Sequence, residues 1–212
     1  TNMLPRPATM ETWRAPMIEP LACAIHGVQR SEAAEADTVV IIGGGVQGQL
    51  LCAGLAARGC RVVVCDPHAD RRERALAFGA AAVADAPRDD LGVRAVRAMT
   101  PGGRGADVVF EAVGRPETWQ VAVAVARAGA EINLYGGCAP GSTVTLPTQP
   151  LHYAELRLQG SYHHTPAAVR EALQLLERDD IPFAELVGEP VGLEEVATVL
   201  AESGQKRPVL TR

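Results

Sequence analysis

A doubly wound parallel α/β sheet is the fold this sequence predicts, and three observations predict it. Short apolar runs rich in β-branched residues recur along the chain, helical stretches separate them, and glycines punctuate the changes. A strand covered by helices on both faces reads as continuously apolar rather than alternating, as these runs do.

Thr1 to Glu19 carries Pro5, Pro7 and Pro16 and reads as a loop with one short helix. Pro20 suits a first helical turn, and Leu21 to Val28 continues it. Thr38 to Ile42 is the first buried strand, followed by a glycine loop and a helix to about Arg58 that Gly59 ends. Arg61 to Asp66 is the second strand, Asp70 to Phe78 a helix, and Gly79 stands where a C-cap glycine belongs. Ala81 to Ala84 gives a short third strand, and Asp89 to Met99 a helix. Asp107 to Glu111 is the fourth strand, Pro116 opens a helix to about Ala128, and Glu131 to Tyr135 is the fifth. Thr143 to Leu146 and Leu156 to Tyr162 read as extended, the former as an unpaired edge that could invite a partner. Pro166 to Glu177 is an amphipathic helix. A strand near Val187, a helix from Leu193 to Glu202 and a strand from Val209 to Thr211 complete the chain.

The bulk numbers agree with a globular chain. It has 212 residues, 47% apolar and 21% charged, with a formal charge of −5. That charge, and the lack of a dense Lys/Arg run, argues against a nucleic-acid partner. No apolar run reaches the roughly 18 residues needed to span a bilayer, so no membrane partner is expected. Cys23, Cys52, Cys60, Cys65 and Cys138 are odd in number and form no C-x-x-C pair. Unpaired thiols among apolar residues point to a reducing, cytoplasmic setting.

The chemistry lies in the loop after the first strand. Gly43, Gly45 and Gly48 form G-x-G-x-x-G, which follows a buried strand and opens a helix. Asp66 closes the next strand about 18 residues beyond Gly48, near the expected spacing of about 20. Gly43 allows the turn, Gly45 lets backbone N–H groups approach a diphosphate, and Gly48 lets the helix pack closely. Val46 and Gln47 lie in the same loop, where a helix N-terminus offers unpaired donors to phosphate. Asp66 can accept hydrogen bonds from a ribose diol and would repel a 2′-phosphate, so the expected cofactor is NAD rather than NADP. Arg71 and Arg72 on the following helix read as a solvated face. The serines carry no G-x-S-x-G elbow, so acyl transfer has no support.

Further segments resemble the zinc-type medium-chain alcohol dehydrogenases, in particular the sorbitol and threonine dehydrogenase branch. They are Ile18 to Gly27, with its Glu19-Pro-Leu; Asp66-Pro67 with Arg71 and Phe78-Gly79-Ala80; Gly105 to Gly114; Glu131 to Gly137; and Gly204 to Leu210. The resemblance implies a Rossmann domain at residues 22–163. It makes residues 1–21 a remnant of the substrate domain, and residues 164–212 a C-terminal segment returning towards it. It implies cofactor contacts from Arg71, from Ala112 and Val113 after the fourth strand, and from Tyr135, Gly136 and Gly137 after the fifth. It also implies hydride transfer between an alcohol and NAD in a homodimer or tetramer.

The resemblance stops short of that family's N-terminal substrate domain, whose cysteine and histidine ligands hold the catalytic zinc. The chain is therefore expected to be a fragment, inactive when isolated, with apolar surface exposed near Ile18 and Leu21. Glu19 matches a position at or beside that zinc, but one carboxylate holds zinc poorly, so no metal is expected in this chain. His163 and His164, if extended, point to opposite faces and cannot share an ion. His26 reads as a packed core residue, His68 as exposed, and Glu111 as a structural acid or a cofactor contact. Two other readings stay open: a zinc-independent quinone or enoyl reductase of the same superfamily, and a non-catalytic dinucleotide-binding module.

Overall fold

The structure, a computed structural model, describes residues 5–188 and 191–203. Its centre is a parallel sheet of β1 (Thr38–Ile42), β2 (Arg61–Cys65), β3 (Ala82–Ala84), β4 (Ala106–Glu111), β5 (Ala126–Leu134) and β6 (Arg157–Gly160). Their order is β3-β2-β1-β4-β5-β6, and every neighbouring pair is parallel. The helices are α1 (Ile18–Arg30), α2 (Val46–Ala57), α3 (Ala69–Ala77), α4 (Asp90–Ala98), α5 (Pro116–Val125), α6 (Thr148–Tyr153), α7 (Pro166–Leu176) and α8 (Val196–Ser203).

Alternation along each strand explains the two layers. Val39, Ile41, Val62, Val64, Val108 and Phe110 face one side, where α1, α2, α3 and α7 cover them. Val40, Ile42, Val63, Cys65, Val109 and Ile132 face the other, where α4 and α5 supply Val96, Ala122, Val123 and Val125. Each fully buried aliphatic side chain contributes about 1.5–3 kcal/mol relative to exposure, so both layers are needed. α1 runs unbroken across residues 21 and 22, and α7 shares its core.

Several sequence expectations need correction. The fifth strand starts at Ala126, where the preceding helix was expected to continue, because Ala126 pairs with Ala106 before the register shifts to Val108 and Glu131. Thr143 to Leu146 forms no strand, and the Gln120 side chain binds the Thr145 carbonyl instead. Around Val187 the chain forms a 3-10 turn over Phe183–Leu186 and then a bend, not a strand. Leu21 is fully buried and Ile18 half-buried, so the expected apolar exposure is absent there. The strand expected over Val209 to Thr211, and the resemblance carried by Gly204 to Leu210, lie outside the described residues.

The register sets the geometry of everything that follows. Ala84, Cys65, Ile42, Glu111, Leu134 and Gly160 lie abreast across the sheet as the last residues of their strands. The next residue of each strand therefore emerges along a single edge, the carboxyl end at which ligands bind in open α/β sheets.

At the opposite end, buried Asp107 ties the strands together. It accepts hydrogen bonds from the Thr38 N–H at 2.8 Å, Arg127 Nε at 2.5 Å and Arg104 at 3.0 Å. Burial opposes its charge, but the hydrogen bonds from Arg127 and Thr38 and the charges of both arginines hold its carboxyl below the usual carboxylate range. A depressed folded pKa stabilises the fold above the unfolded value of about 3.9 and loses that contribution as pH falls through the folded value. Asp107→Ala is expected to cost about 1–3 kcal/mol in urea unfolding near neutral pH. The difference from wild type should shrink below about pH 4.

Candidate functional site

Two glycines give the loop after β1 its shape. Gly43 sits at φ 103° and donates its N–H to the Cys65 carbonyl at 2.8 Å. A Cβ on Gly43 would meet Val113 Cγ2 at 2.8 Å, and one on Gly48 would collide with the Gly43 carbonyl oxygen. The second position admits glycine alone, because the obstructing atom is backbone. By contrast, a Cβ on Gly45 would face open space. Gly45 is the N-cap of α2 and has no side chain to cap it, so the Val46 and Gln47 N–H groups of the first turn point outward without intrahelical partners. That is the arrangement a helix N-terminus presents to an anion.

Asp66, the first residue after β2, is buried behind this loop. Its Oδ2 accepts the Gly44 N–H and its Oδ1 the His68 N–H, each at 2.8 Å. Each carboxylate oxygen has a second acceptor position for a hydroxyl. Arg71 lies 3.5 Å from Oδ2, and Arg72 donates to the Asp66 main-chain carbonyl at 2.7 Å. The two arginines fold back on the strand end and do not form the solvated face expected from sequence. His68 is exposed, as expected.

The loops after β4 and β5 hold each other. Glu111 is fully buried, and its Oε1 accepts the Val113 N–H at 2.8 Å, the Gly114 N–H at 3.0 Å and the Thr118 hydroxyl at 2.8 Å. Burial pushes its carboxyl above the usual range, against the pull of these bonds. The Ala112 N–H donates to the Ile42 carbonyl at 2.8 Å and the Gly136 N–H to the Glu111 carbonyl at 2.6 Å. A Cβ on Gly114 would strike the Gly137 carbonyl, and one on Gly136 the Gly114 nitrogen. Glu111 is thus a structural acid that organises the loop, one of the two roles its place at the strand end allows.

Tyr135 links this edge to the glycine loop. Its hydroxyl donates to Gln47 Oε1 at 2.6 Å, and its ring blocks any side chain at Gly27 on α1. Burial and the nearby Cys23 and Glu19 push its phenol up. The residues singled out in the sequence therefore come together: Gly43, Gly45, Val46, Gln47, Gly48, Asp66, Arg71, Ala112, Val113, Tyr135, Gly136 and Gly137 all follow the abreast strand ends of β1, β2, β4 and β5.

A second cluster stands at the same edge. Glu19, His163 and His164 place one ligand atom each within 4.8 Å of one another. This corrects the expectation that the two histidines diverge. β6 ends at Gly160, and His163 takes φ 65°, so the rings turn to the same side with centroids 4.4 Å apart. The signal available in sequence was the polar run before Pro166, which marks a loop where strand geometry does not apply. Cys23, one turn after Glu19, donates its thiol to Glu19 Oε1 at 3.3 Å. Burial, that bond and the Glu19 charge push the thiol up to about 12. His26 is half-buried rather than packed in the core, and burial, Arg30 and His164 lower its pKa.

Residues 47–178 match the family model described as zinc-binding dehydrogenase. D-xylulose reductase A of Aspergillus oryzae is 27% identical over 199 residues, covering 92% of this chain and 55% of that protein. D-altritol 5-dehydrogenase of Agrobacterium fabrum is 28% identical over 190 residues, covering 86% and 53%. A Sinorhizobium meliloti structure, described as a zinc-binding dehydrogenase bound to NADP, superposes with a TM-score of 0.84 at 29% identity. It covers 97% of this chain and 58% of that one. The chain spans about half the length of the curated relatives it matches.

Glu111→Ala is expected to strand the Val113 and Gly114 N–H groups and lower stability by about 1–3 kcal/mol. Hydrogen exchange should speed at those two amides first. Unchanged exchange at both would remove the organising role.

Proposed function

The chain belongs to the zinc-binding dehydrogenase family, and from that premise we propose that it is the cofactor-binding portion of an NAD-dependent alcohol or polyol dehydrogenase. The observation that carries the reading is the glycine loop itself, closed at Gly48 and open at Gly45, with Asp66 behind it. The Val46 and Gln47 N–H groups would cradle the diphosphate. Asp66 would take the adenosine ribose. The loops at Ala112–Val113 and Tyr135–Gly137 would hold the nicotinamide end, where Tyr135 and Gln47 brace each other. Polyols are the substrate class suggested by relatives named D-xylulose reductase and D-altritol 5-dehydrogenase.

The hydride chemistry would belong to the nicotinamide, and a bound zinc would supply Lewis-acid polarisation of an alcohol oxygen. Glu19 is a residue of this chain that would face that metal. Residues 22–163 would carry the nucleotide, while 1–21 and 164–212 would face a substrate domain. We place the protein in the cytoplasm on its five free thiols. Among the described residues, no helix is long and apolar enough to cross a membrane. A homodimer or tetramer is proposed, with β6, the last strand of the sheet among the described residues, as the pairing strand in place of Thr143 to Leu146.

Arg71 supports a second cofactor reading. A guanidinium 3.5 Å from Asp66 offsets part of the repulsion that a 2′-phosphate would meet. NAD is preferred because the buried carboxylate stays between that arginine and the loop. Asp66→Ala is expected to weaken NADH about 10- to 100-fold, the equivalent of roughly 1.5–3 kcal/mol for a charge-assisted pair. NADPH should weaken less or gain. An unchanged NADH to NADPH ratio in parallel fluorescence titrations would refute the assigned role.

A further inference from the structure

The Glu19, His163 and His164 cluster does more than offer one carboxylate to a metal held elsewhere. Its donor set is one carboxylate oxygen and two imidazole nitrogens, the combination that zinc and its neighbours in the first transition row accept. Three such donors form a catalytic type of site, with a fourth position left for water or a substrate oxygen.

Geometry favours a shared ion. The ligand atoms lie within 4.8 Å of one another, and bonds of about 2.0–2.1 Å in a tetrahedron need them roughly 3.3 Å apart. Glu19 and His163 are exposed and His164 half-buried, which leaves their side chains room to turn towards one another. His163 sits at φ 65°, a conformation uncommon outside glycine. It is this backbone turn that brings two adjacent histidines to one side. The carboxylate comes from the first turn of α1, and Cys23 fixes one of its oxygens from one turn further on, as an outer partner does for a metal ligand. Position matters too. Glu19 lies on α1, whose Gly27 packs against the Tyr135 ring, and the Tyr135 hydroxyl reaches Gln47 of the glycine loop.

We infer that this chain by itself builds a site for a divalent transition metal of the zinc class, with Glu19, His163 and His164 as ligands, at the nicotinamide end of the nucleotide platform. The inference deepens the dehydrogenase reading and rests on it only for the site's role, since binding of the ion requires no nucleotide.

The test titrates cobalt(II) and zinc(II) into the purified chain without nucleotide, following heat for both and visible absorption for cobalt. One equivalent should bind, with the intense visible bands of a tetrahedral cobalt site. Glu19→Gln, His164→Ala and His163→Gly should each weaken binding about tenfold or more. His163→Gly suits the backbone at that position, so its melting temperature should match or exceed wild type while metal is lost. Absence of binding by wild type, or equal binding by all three variants, would overturn the site. NADH titration of the same samples keeps the two ideas apart. Metal binding without NADH binding would remove the dehydrogenase reading and leave the site, whereas the reverse would remove the site alone.

Discussion

One close approach governs the candidate site: the Gly43 carbonyl lies where a side chain on Gly48 would have to be. Because that obstruction is backbone, neither partner can yield without moving β1 or α2. The contact fixes how α2 leaves the sheet and so fixes where its first N–H groups point. Everything else at this edge is arranged around that helix mouth. Asp66 binds the Gly44 N–H from behind, Gln49 reaches the Gly44 carbonyl at 2.9 Å, and Tyr135 meets Gln47 from the far side.

The remaining loops reach the site because the strands end abreast. A parallel sheet with helices on both faces leaves its carboxyl edge free, and the register puts the residues after Ile42, Cys65, Glu111 and Leu134 on that edge together. Buried Glu111 then fixes the loop after β4 by collecting two N–H groups and a hydroxyl on a single oxygen, while its main-chain carbonyl takes the Gly136 N–H from the loop after β5. The strand after that, β6, delivers the histidine pair to the same edge and opposite Glu19. The glycine-loop edge and the cluster of Glu19, His163 and His164 are therefore consequences of one topology.

Much of this was legible in the sequence. Strands buried on both faces announce themselves as β-branched runs, and the glycine spacing with Asp66 is a constraint that few folds impose. What escaped reading was decided by tertiary contact. Residues 121–128 hold no Gly or Pro, so nothing local says that the helix stops at Val125 and that Ala126 joins the sheet beside Ala106. Thr143 to Leu146 has strand composition, but its Thr145 carbonyl is taken by the Gln120 side chain rather than by a ladder. Arg71 and Arg72 look like surface charges until the carboxylate and carbonyl of Asp66 are seen to receive them. The positive φ of His163 has no signature in composition, and with it went the pairing of His163 and His164.

The claim that a diphosphate is gripped at the α2 mouth is tested most directly by calorimetry of NADH with wild type and with Gly48→Ala. The account predicts saturable heat for wild type and none for the variant at equal concentration, with the variant's circular dichroism still that of a folded α/β chain. Equal affinity in the two proteins, or no heat from wild type, would contradict it.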